Sequence, residues 1–256
     1  MRTALTIAGS DSGGGAGIQA DLKTFQRLGV FGTSVVTAVT AQNTRGVSAW
    51  ESVSPKLVSA QIDAVFEDLP PAAMKSGMLG TADVAEAVCR GIEQHRPPFY
   101  VLDPVMLASS GDALIDDRAR KVLAERLVSL ATLVTPNLAE AEELCGMPVR
   151  DRAGMEAAGN SLIARGAKAA LIKGGHLESE ALVDVLVTAD GARVFEHRRL
   201  AATSTHGTGC TLSAAITAGL ALGQSLEAAV GAGIAFVQRA IAQAPGLGRG
   251  NGPLGI

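Results

Sequence analysis

Short apolar runs alternate along this chain with longer segments that fit amphipathic helices. The runs 100–102 and 170–172 are apolar at every position, which is typical of strands buried on both faces of a sheet. Alternation of such strands with helices is the pattern of a parallel sheet that helices cover on both faces. The sequence therefore predicts a doubly wound, mainly parallel α/β fold.

The predicted elements extend along the whole chain. Strands are predicted at 4–8, 34–39, 73–78, 100–105, 133–135 and 170–173, and helices at 16–28, 55–68, 81–96, 116–127, 138–145, 154–165, 210–222 and 226–243. The segments 182–189 and 193–200 flank the turn signal Asp190–Gly191 and predict a small β-hairpin at one edge of the sheet. The sequence has no linker rich in Pro, Gly or Ser and no fixed repeat, so we expect one domain over residues 1–256.

Composition limits the partners that this chain can bind. A formal net charge of −3 supplies no basic field for nucleic acid or an anionic membrane, and neither is expected. The three cysteines, Cys89, Cys145 and Cys210, include no CxxC pair and indicate neither a zinc site nor a secretory disulfide framework. The apolar run at 4–8 is shorter than the roughly 7–15-residue core of a signal peptide. We therefore expect a cytoplasmic protein.

Two glycine-rich segments each come directly before a predicted helix. Glycines let backbone amides approach a ligand, and a helix N-terminus favours negative charge. The first segment, 9–17, matches neither GxxxxGK[ST] nor a clean GxGxxG, so a tight turn is an equally simple interpretation.

The second segment, THGTGCT at 205–211, is more specific. The amides of Gly207, Thr208, Gly209 and Cys210 can converge on an oxyanion, as catalysis of phosphoryl transfer requires. A helix N-terminus lowers the pKa of a thiol, so we expect Cys210 to be a general base or nucleophile. The alternative is a small buried core residue.

Polar residues also follow three of the other predicted strands. Asp103 and Glu140 carry hard oxygen ligands suited to Mg²⁺, and Lys173 supplies a positive charge for phosphate oxygens. Ligands of open α/β sheets bind beyond the carboxyl ends of the strands, so together these residues predict a nucleotide site. Each has a structural alternative, since Asp103 precedes a proline in a turn and Asn137 can cap the helix that contains Glu140.

With these motifs the chain resembles the ribokinase-like kinases, and among them the hydroxymethylpyrimidine/phosphomethylpyrimidine kinases of thiamine synthesis. The matching stretches are AGSDSGGGAGIQAD at 8–21, TAQNT at 40–44, KSGMLG at 75–80, DPVM at 103–106, SGD at 110–112, TPNLAEAE at 135–142, IKGGH at 172–176 and STHGTGCTLSAA at 204–215. Other ribokinase-like enzymes usually place an aspartate at the position of Cys210. The chain departs from the family at Ser204, where Asn is expected, and at Asn251, where His is frequent.

The resemblance implies a homodimeric kinase that uses ATP and Mg²⁺. Its substrates would be 4-amino-5-hydroxymethyl-2-methylpyrimidine and the monophosphate of this alcohol. The Gln42 amide would pair with the aminopyrimidine edge, and Gly9 and Asp21 would add polar contacts. Met78 and Val105 would sandwich the flat ring.

The resemblance also assigns the phosphate-handling residues. Asn137, Glu140 and Lys173 would hold ATP, and Asp103 and Glu140 would serve the magnesium ion. The Gly207–Cys210 amides would stabilise the transferring phosphoryl group, while Cys210 would orient or deprotonate the acceptor hydroxyl.

Three other functions compete with this interpretation. A pyridoxal or pyridoxine kinase shares the fold and also binds a flat ring that bears a hydroxymethyl group, but Gln42 and Met78 favour the pyrimidine. A non-catalytic pyrimidine-sensing module is disfavoured by the joint presence of Lys173, Glu140 and Cys210. A nicotinamide dehydrogenase would need an acidic residue about 20 positions after the first glycines, where 40–42 reads Thr-Ala-Gln.

Overall fold

A computed structural model of the chain describes residues 1–107, 111–112, 114–175, 181–200 and 204–256. Two residues of the family motifs, Ser110 and His176, lie outside this part. The strands are β1 (Thr3–Asp11), β2 (Phe31–Asn43), β3 (Gly46–Ser52), β4 (Ala73–Ser76), β5 (Tyr100–Leu102), β6 (Leu133–Val134), β7 (Ala169–Lys173), β8 (Ala181–Thr188) and β9 (Gly191–Arg198).

The helices lie between these strands and after them. They are α1 (Gly17–Arg27), α2 (Pro55–Asp68), α3 (Ala82–His95), α4 (Asp117–Val122), α5 (Val128–Leu130), α6 (Leu138–Cys145), α7 (Arg152–Ala164), α8 (Thr208–Ala221) and α9 (Leu226–Ala242). A π-helical turn at Leu123–Leu127 joins α4 to α5, so the helix predicted at 116–127 exists but is not regular throughout. In the described part of the chain, we find no helix with the length and hydropathy to cross a membrane.

The nine strands found in the described residues belong to one open sheet, in the order β3-β2-β1-β4-β5-β6-β7-β8-β9. The six strands from β2 to β7 in this order are mutually parallel. Strand β3 pairs antiparallel with β2 at one edge, and the hairpin β8–β9 continues antiparallel from β7 at the other. The doubly wound, mainly parallel fold and the edge hairpin are thus confirmed.

Strand β3 is an addition to the predicted sheet. Its sequence, GVSAWES, is half polar and largely exposed, because an edge strand packs against only one neighbour. This strand lacks the continuous apolar run that predicts the central strands, so its sequence did not indicate a strand.

Two hydrophobic cores lie on opposite faces of the sheet. In β5, Tyr100 and Leu102 belong to the core under α2, α3, α4, α6 and α7, whereas Val101 belongs to the core under α1, α8 and α9. Burial on both faces explains why this strand is apolar at every position. Helices therefore cover both faces, as predicted.

The chain leaves the parallel strands earlier than predicted at the edge where a ligand is expected. Strands β4 and β5 end at Ser76 and Leu102, so the residues from Gly77 and Asp103 onward lie in loops. The C-terminal tail also reaches this edge: the His206 N–H donates to the Gly252 carbonyl at 3.1 Å, and Leu254 is buried.

Candidate active site

The carboxyl ends of β5 and β7 face the N-terminus of α8. Asp103 directly follows β5, and Lys173 is the last residue of β7. A Cβ added to Gly209 in the first turn of α8 would lie 3.4 Å from Lys173 Nζ and 3.8 Å from Asp103 Oδ2. The structure thus brings together three residues that the sequence singled out separately.

Lys173 lies between two buried carboxylates. Its Nζ donates to Asp103 Oδ1 at 3.3 Å and lies 3.9 Å from Glu140 Oε2. Burial opposes the charge of each group, but Lys173 lowers the pKa of Asp103, and the two carboxylates raise the pKa of Lys173. Burial dominates at Glu140 and raises its pKa to about 7. Near neutral pH this cluster therefore holds a firm Asp103–Lys173 ion pair beside a carboxyl that titrates.

Hydroxyl groups complete the surroundings of Asp103. Thr135 Oγ1 donates to Asp103 Oδ1 at 3.3 Å, and Ser213 Oγ of α8 donates to Oδ2 at 3.2 Å. These bonds fix the carboxylate between β6 and α8. Thr135 follows β6, Ser213 lies on α8 and Lys173 ends β7, so these three elements together set the orientation of the Asp103 carboxylate.

Asn137 and Glu140 form a capping box at the start of α6. Asn137 Oδ1 accepts from the Glu140 N–H at 2.9 Å, and Glu140 Oε2 accepts from the Asn137 N–H at 2.8 Å. The structural alternative for Asn137 is therefore correct, and its contact with ATP stays a prediction. Among the described residues, no three His, Cys, Asp or Glu side chains are grouped so that they could hold a metal ion.

A second ion pair, Lys75–Asp21, lies beneath the site and was not predicted from the sequence. Lys75 of β4 donates to both carboxylate oxygens of Asp21 at 3.0 and 3.1 Å, and Thr6 Oγ1 donates to Oδ2 at 2.6 Å. Both charged side chains are fully buried. Although burial opposes its charge, Asp21 raises the pKa of Lys75. The sequence did contain a signal for this ion pair, because a lysine buried within an apolar strand must be paired.

Asp21 is therefore already engaged on three of the roughly four acceptor sites of a carboxylate. Its predicted contact with substrate stays a prediction.

Cys210 lies close to the Lys75–Asp21 ion pair, and the pKa of its thiol differs from the expected one. Burial raises the pKa of the thiol to about 12, and the nearby Asp21 and Asp103 charges add to this effect. Lys75 and a hydrogen bond from the Gly17 N–H act in the opposite direction but do not offset it. The expected lowering of the Cys210 pKa by the helix N-terminus is thus wrong for this structure.

A small apolar cluster lies beside the Gly9 backbone. A Cβ on Gly9 would lie 2.9 Å from Met78 Sδ, so a larger residue would collide with Met78. Met78 and Val105 belong to one small hydrophobic cluster, which also includes Trp50. The structure therefore brings together the two predicted ring-contacting residues. Trp50 was not predicted because it lies on β3.

Gln42 lies at the same edge, near the end of β2. Thr40 Oγ1 donates to Gln42 Oε1 at 3.1 Å, and Gln42 Nε2 lies 3.3 Å from His206 Nε2. His206 Nε2 also lies 2.9 Å from Asp11 Oδ2. His206 and Asp11 were not among the predicted site residues, although both lie inside the quoted motifs.

In the first glycine-rich segment, backbone amides bind a carboxylate of the same segment. The N–H groups of Gly13, Gly15 and Ala16 donate to the Asp11 carboxylate at 2.7, 3.0 and 2.8 Å. Burial of Asp11 is outweighed by the His206 contact and by these amides, so its pKa is lowered. The tight-turn interpretation is therefore correct, because these amides already bind a carboxylate of the chain.

The chain matches the family model described as phosphomethylpyrimidine kinase over residues 11–255. It is 50% identical over 254 residues to the hydroxymethylpyrimidine/phosphomethylpyrimidine kinase of Rhizobium meliloti, with 98% of this chain and 95% of that protein covered. It is 48% identical over 250 residues to the thiamine biosynthesis bifunctional protein ThiED of Geobacter sulfurreducens, with 98% of this chain covered. The chain spans only 51% of the length of that bifunctional protein.

Solved structures show the same fold. A phosphomethylpyrimidine kinase from Clostridium difficile is 43% identical with a TM-score of 0.85, and the match covers 94% of this chain and 100% of that one. The pyridoxal kinase of Bacillus subtilis in an ADP complex is 38% identical with a TM-score of 0.92, covering 99% and 97%. Both a pyrimidine kinase and a vitamin B6 kinase are therefore structural neighbours.

Proposed function

This chain belongs to the phosphomethylpyrimidine kinase family, and we propose that it phosphorylates 4-amino-5-hydroxymethyl-2-methylpyrimidine and then its monophosphate with ATP, yielding the pyrophosphate for thiamine synthesis. The observation that carries this proposal is the position of Lys173. Its ammonium lies between Asp103 and Glu140 and faces Gly209 at the start of α8. A cation opposite a helix N-terminus suits the negative oxygens of a transferring phosphoryl group.

Phosphoryl transfer depends chiefly on positioning and electrostatics. The acceptor oxygen attacks the γ-phosphorus, and the bond to the ADP oxygen breaks. The amides of Gly207, Thr208, Gly209 and Cys210 would stabilise the equatorial oxygens, and Lys173 would balance their charge. Gly207 caps α8 without a side chain, and among these amides the Thr208 N–H donates to the Thr205 carbonyl at 3.3 Å.

Cys210 lines this reaction centre as a neutral thiol at rest. With a pKa of about 12, it is a poor proton acceptor near neutral pH. The hydroxyl proton of the alcohol would therefore pass to a phosphoryl oxygen or to water as the new P–O bond forms. Cys210 would shape the space in which the acceptor oxygen lies.

The pyrimidine would lie against the apolar wall at Met78 and Val105. The Gly9 backbone lets the ring approach Met78, because a side chain at this position would collide with the sulfur. Gln42 supplies a donor and an acceptor for the aminopyrimidine edge, and Asp21 has one acceptor site left for a further contact.

The residues present fit a magnesium–ATP complex. Mg²⁺ usually keeps several waters and binds one or two carboxylates together with substrate phosphates. Asp103 and Glu140 are two such carboxylates on one cluster, and Lys173 and Asn137 would contact the nucleotide. The ion, when bound, would neutralise negative charge on the phosphates.

A vitamin B6 kinase is the second candidate, and the likeness to the Bacillus subtilis pyridoxal kinase favours it. The two substrates differ at the edge that meets Gln42. A pyrimidine with an amino group offers an acceptor beside a donor, which matches an amide. We therefore place the pyrimidine first.

Incubation of the purified protein with Mg-ATP and each acceptor tests this assignment. The panel contains the pyrimidine alcohol, its monophosphate, pyridoxal and pyridoxine, and phosphorus NMR identifies the products. We expect a monophosphate from the alcohol and a pyrophosphate from the monophosphate. Phosphorylation of the B6 compounds alone would replace the proposal with the second candidate.

We extend the proposal to the organisation of the protein. Residues 1–256 would act as one kinase domain in a cytoplasmic homodimer. The single sheet supports one domain, and the three free thiols suit a reducing compartment. Light scattering on the purified protein measures the oligomeric state.

A further inference from the structure

A series of hydrogen bonds leads from helix α9 to the end of strand β7, and its side chains were not among the predicted site residues. Asp184 Oδ1 of β8 accepts from the Gly174 N–H at 2.9 Å, and this bond is buried. Asp184 Oδ2 lies 3.0 Å from His197 Nε2 of β9, and His197 Nδ1 lies 2.9 Å from Gln238 Nε2 of α9. The series ends one residue after Lys173, the last residue of β7.

The partners of His197 decide the roles of its two ring nitrogens. A carboxylate only accepts, so Nε2 carries the hydrogen that Asp184 receives. In the neutral ring Nδ1 then accepts, and it faces the Gln238 amide nitrogen, which donates. The side chains of Asp184 and His197 are 7% and 16% exposed, so an unpaired polar group would be costly here. In this arrangement every nitrogen and oxygen of the series has a complementary partner.

The turn after Lys173 fits tightly against β8. A Cβ on Gly174 would collide with the Val183 carbonyl oxygen, so only glycine lets the backbone approach this closely. Arg199, directly after β9, donates from Nη1 to the Gly175 carbonyl at 3.2 Å. The β8–β9 hairpin therefore binds both the Gly174 N–H and the Gly175 carbonyl.

We infer that Asp184 is a positioning residue for the binding of the nucleotide phosphates and that His197 and Gln238 hold its carboxylate in place. The inference rests on the proposed function, in which Lys173 contacts the phosphates of ATP. A side chain that binds a ligand is precise only when its backbone and its supporting hydrogen bonds are fixed. Asp184 would act on Lys173 through the backbone, without contacting the nucleotide itself.

The backbone around Lys173 is secured from two sides. The Lys173 N–H donates to the Pro136 carbonyl at 2.9 Å on the side of β6, and Asp184 binds the next N–H on the side of β8. Without Asp184 the buried Gly174 N–H would lose its acceptor, so the peptide after Lys173 would gain freedom to leave β8. The Lys173 ammonium would then be placed less precisely for a phosphate.

Calorimetry with Mg²⁺ and the non-hydrolysable ATP analogue AMP-PCP tests the inference without the pyrimidine. Asp184→Ala should raise the Kd of the analogue roughly tenfold, the worth of one buried hydrogen bond. Asp190→Ala is the matched control, because Asp190 lies at the exposed tip of the same hairpin. This control should leave the Kd unchanged.

Asp184→Asn is the conservative variant and should restore the wild-type Kd. Its amide oxygen can accept from the Gly174 N–H, and its NH₂ group can donate to His197 Nε2 in the other tautomer of the ring. The Gln238 amide can then turn to offer its oxygen to Nδ1. An unchanged Kd in Asp184→Ala would overturn the inference. A Kd as high in Asp184→Asn as in Asp184→Ala would also overturn it, because the charge and not the hydrogen bond would then matter.

A double-mutant cycle tests the part played by His197. His197→Phe keeps a ring and removes the bond to Asp184, so the Kd should rise by a smaller factor than in Asp184→Ala. In the Asp184→Ala background, His197→Phe should have no further effect, and independent, multiplying effects would contradict the inference. If Asp184→Ala does not fold, His197→Phe decides, and an unchanged Kd in this variant would overturn the inference.

Kinetics separate positioning from general damage to the fold. Both Asp184→Ala and His197→Phe should raise KM for ATP and leave KM for the pyrimidine alcohol unchanged. An equal rise of both KM values would show a merely structural role and would overturn the inference. A wild-type protein that binds AMP-PCP but does not phosphorylate the pyrimidine would instead refute the proposed function, and calorimetry would still decide the inference.

Discussion

The two glycine-rich segments both end at a helix N-terminus, yet their amides differ in what they bind. In residues 12–16, three N–H groups donate to the Asp11 carboxylate. In residues 207–210, the helix cap is Gly207, which has no side chain to offer. The first segment is thus closed by a carboxylate of the chain, while the second faces Lys173 and Asp103.

Glycine content alone therefore does not define an anion site. What matters is whether the chain itself supplies the acceptor. The two segments also touch: a Cβ on Gly207 would collide with the Gly15 carbonyl oxygen, and Gly207 has a φ of +82°. The closed segment, 12–16, therefore packs directly against the open segment, 207–210, and helps to fix its position.

Gly209→Ala is expected to have the largest effect, and it tests the open segment. The added methyl would lie 3.4 Å from Lys173 Nζ, an ordinary contact, so the protein should fold with an unchanged melting temperature. It would occupy the space of the transferring phosphoryl group. We expect kcat to fall about 10²–10³-fold, as for loss of an oxyanion-hole donor.

Gly231→Ala in α9 is the control for this substitution, because its Cβ would meet only Phe195 at 3.5 Å. It should keep full activity. Wild-type kcat in Gly209→Ala would mean that the phosphoryl group binds elsewhere.

Asp11→Asn tests the closed segment and should affect stability more than kcat. The amide replaces an acceptor by a donor against the Gly15 or Ala16 N–H, so the free energy of unfolding should fall by about 1.5–3 kcal/mol at pH 7. Because the pKa of Asp11 is lowered in the folded protein, its contribution is complete above the usual value of about 3.9. The contribution is lost as the pH falls further.

Urea unfolding at several pH values measures this effect. The difference between the wild type and Asp11→Asn should shrink as the pH falls below about 4. A constant difference down to pH 3 would show that the Asp11 charge does not close the segment. A kcat loss as large as that of Gly209→Ala would remove the distinction between the two segments.

The sequence predicted the parallel strands, the edge hairpin and the grouping of Asp103, Glu140 and Lys173, because apolar runs and strand-end positions are local signals. It did not predict β3, whose edge position leaves most of its residues exposed. It also missed the Lys75–Asp21 pair, which depends on two elements 54 residues apart in sequence. Helix position alone predicted a lowered pKa for Cys210, whereas burial, which only the packed fold determines, raises it.

Cys210→Ser is expected to have the smallest effect on the open segment. Burial raises the pKa of the thiol to about 12, so it stays protonated near pH 7, and serine should replace it with a less than tenfold loss of kcat. The loss should be similar for the alcohol and for its monophosphate. Cys145→Ser in α6 is the control and should leave both rates unchanged.

A general base at Cys210 would give a different pattern with the same two substrates. The alcohol must lose a proton, so removal of a positioned base would cost about 10²–10⁴ in kcat. The monophosphate attacks with an oxygen that is already ionised near neutral pH, since the second pKa of a phosphate ester is about 6. A large loss confined to the alcohol would therefore show that bound substrates generate the thiolate. Equal, small losses would leave catalysis to Lys173 and the amides of the open segment.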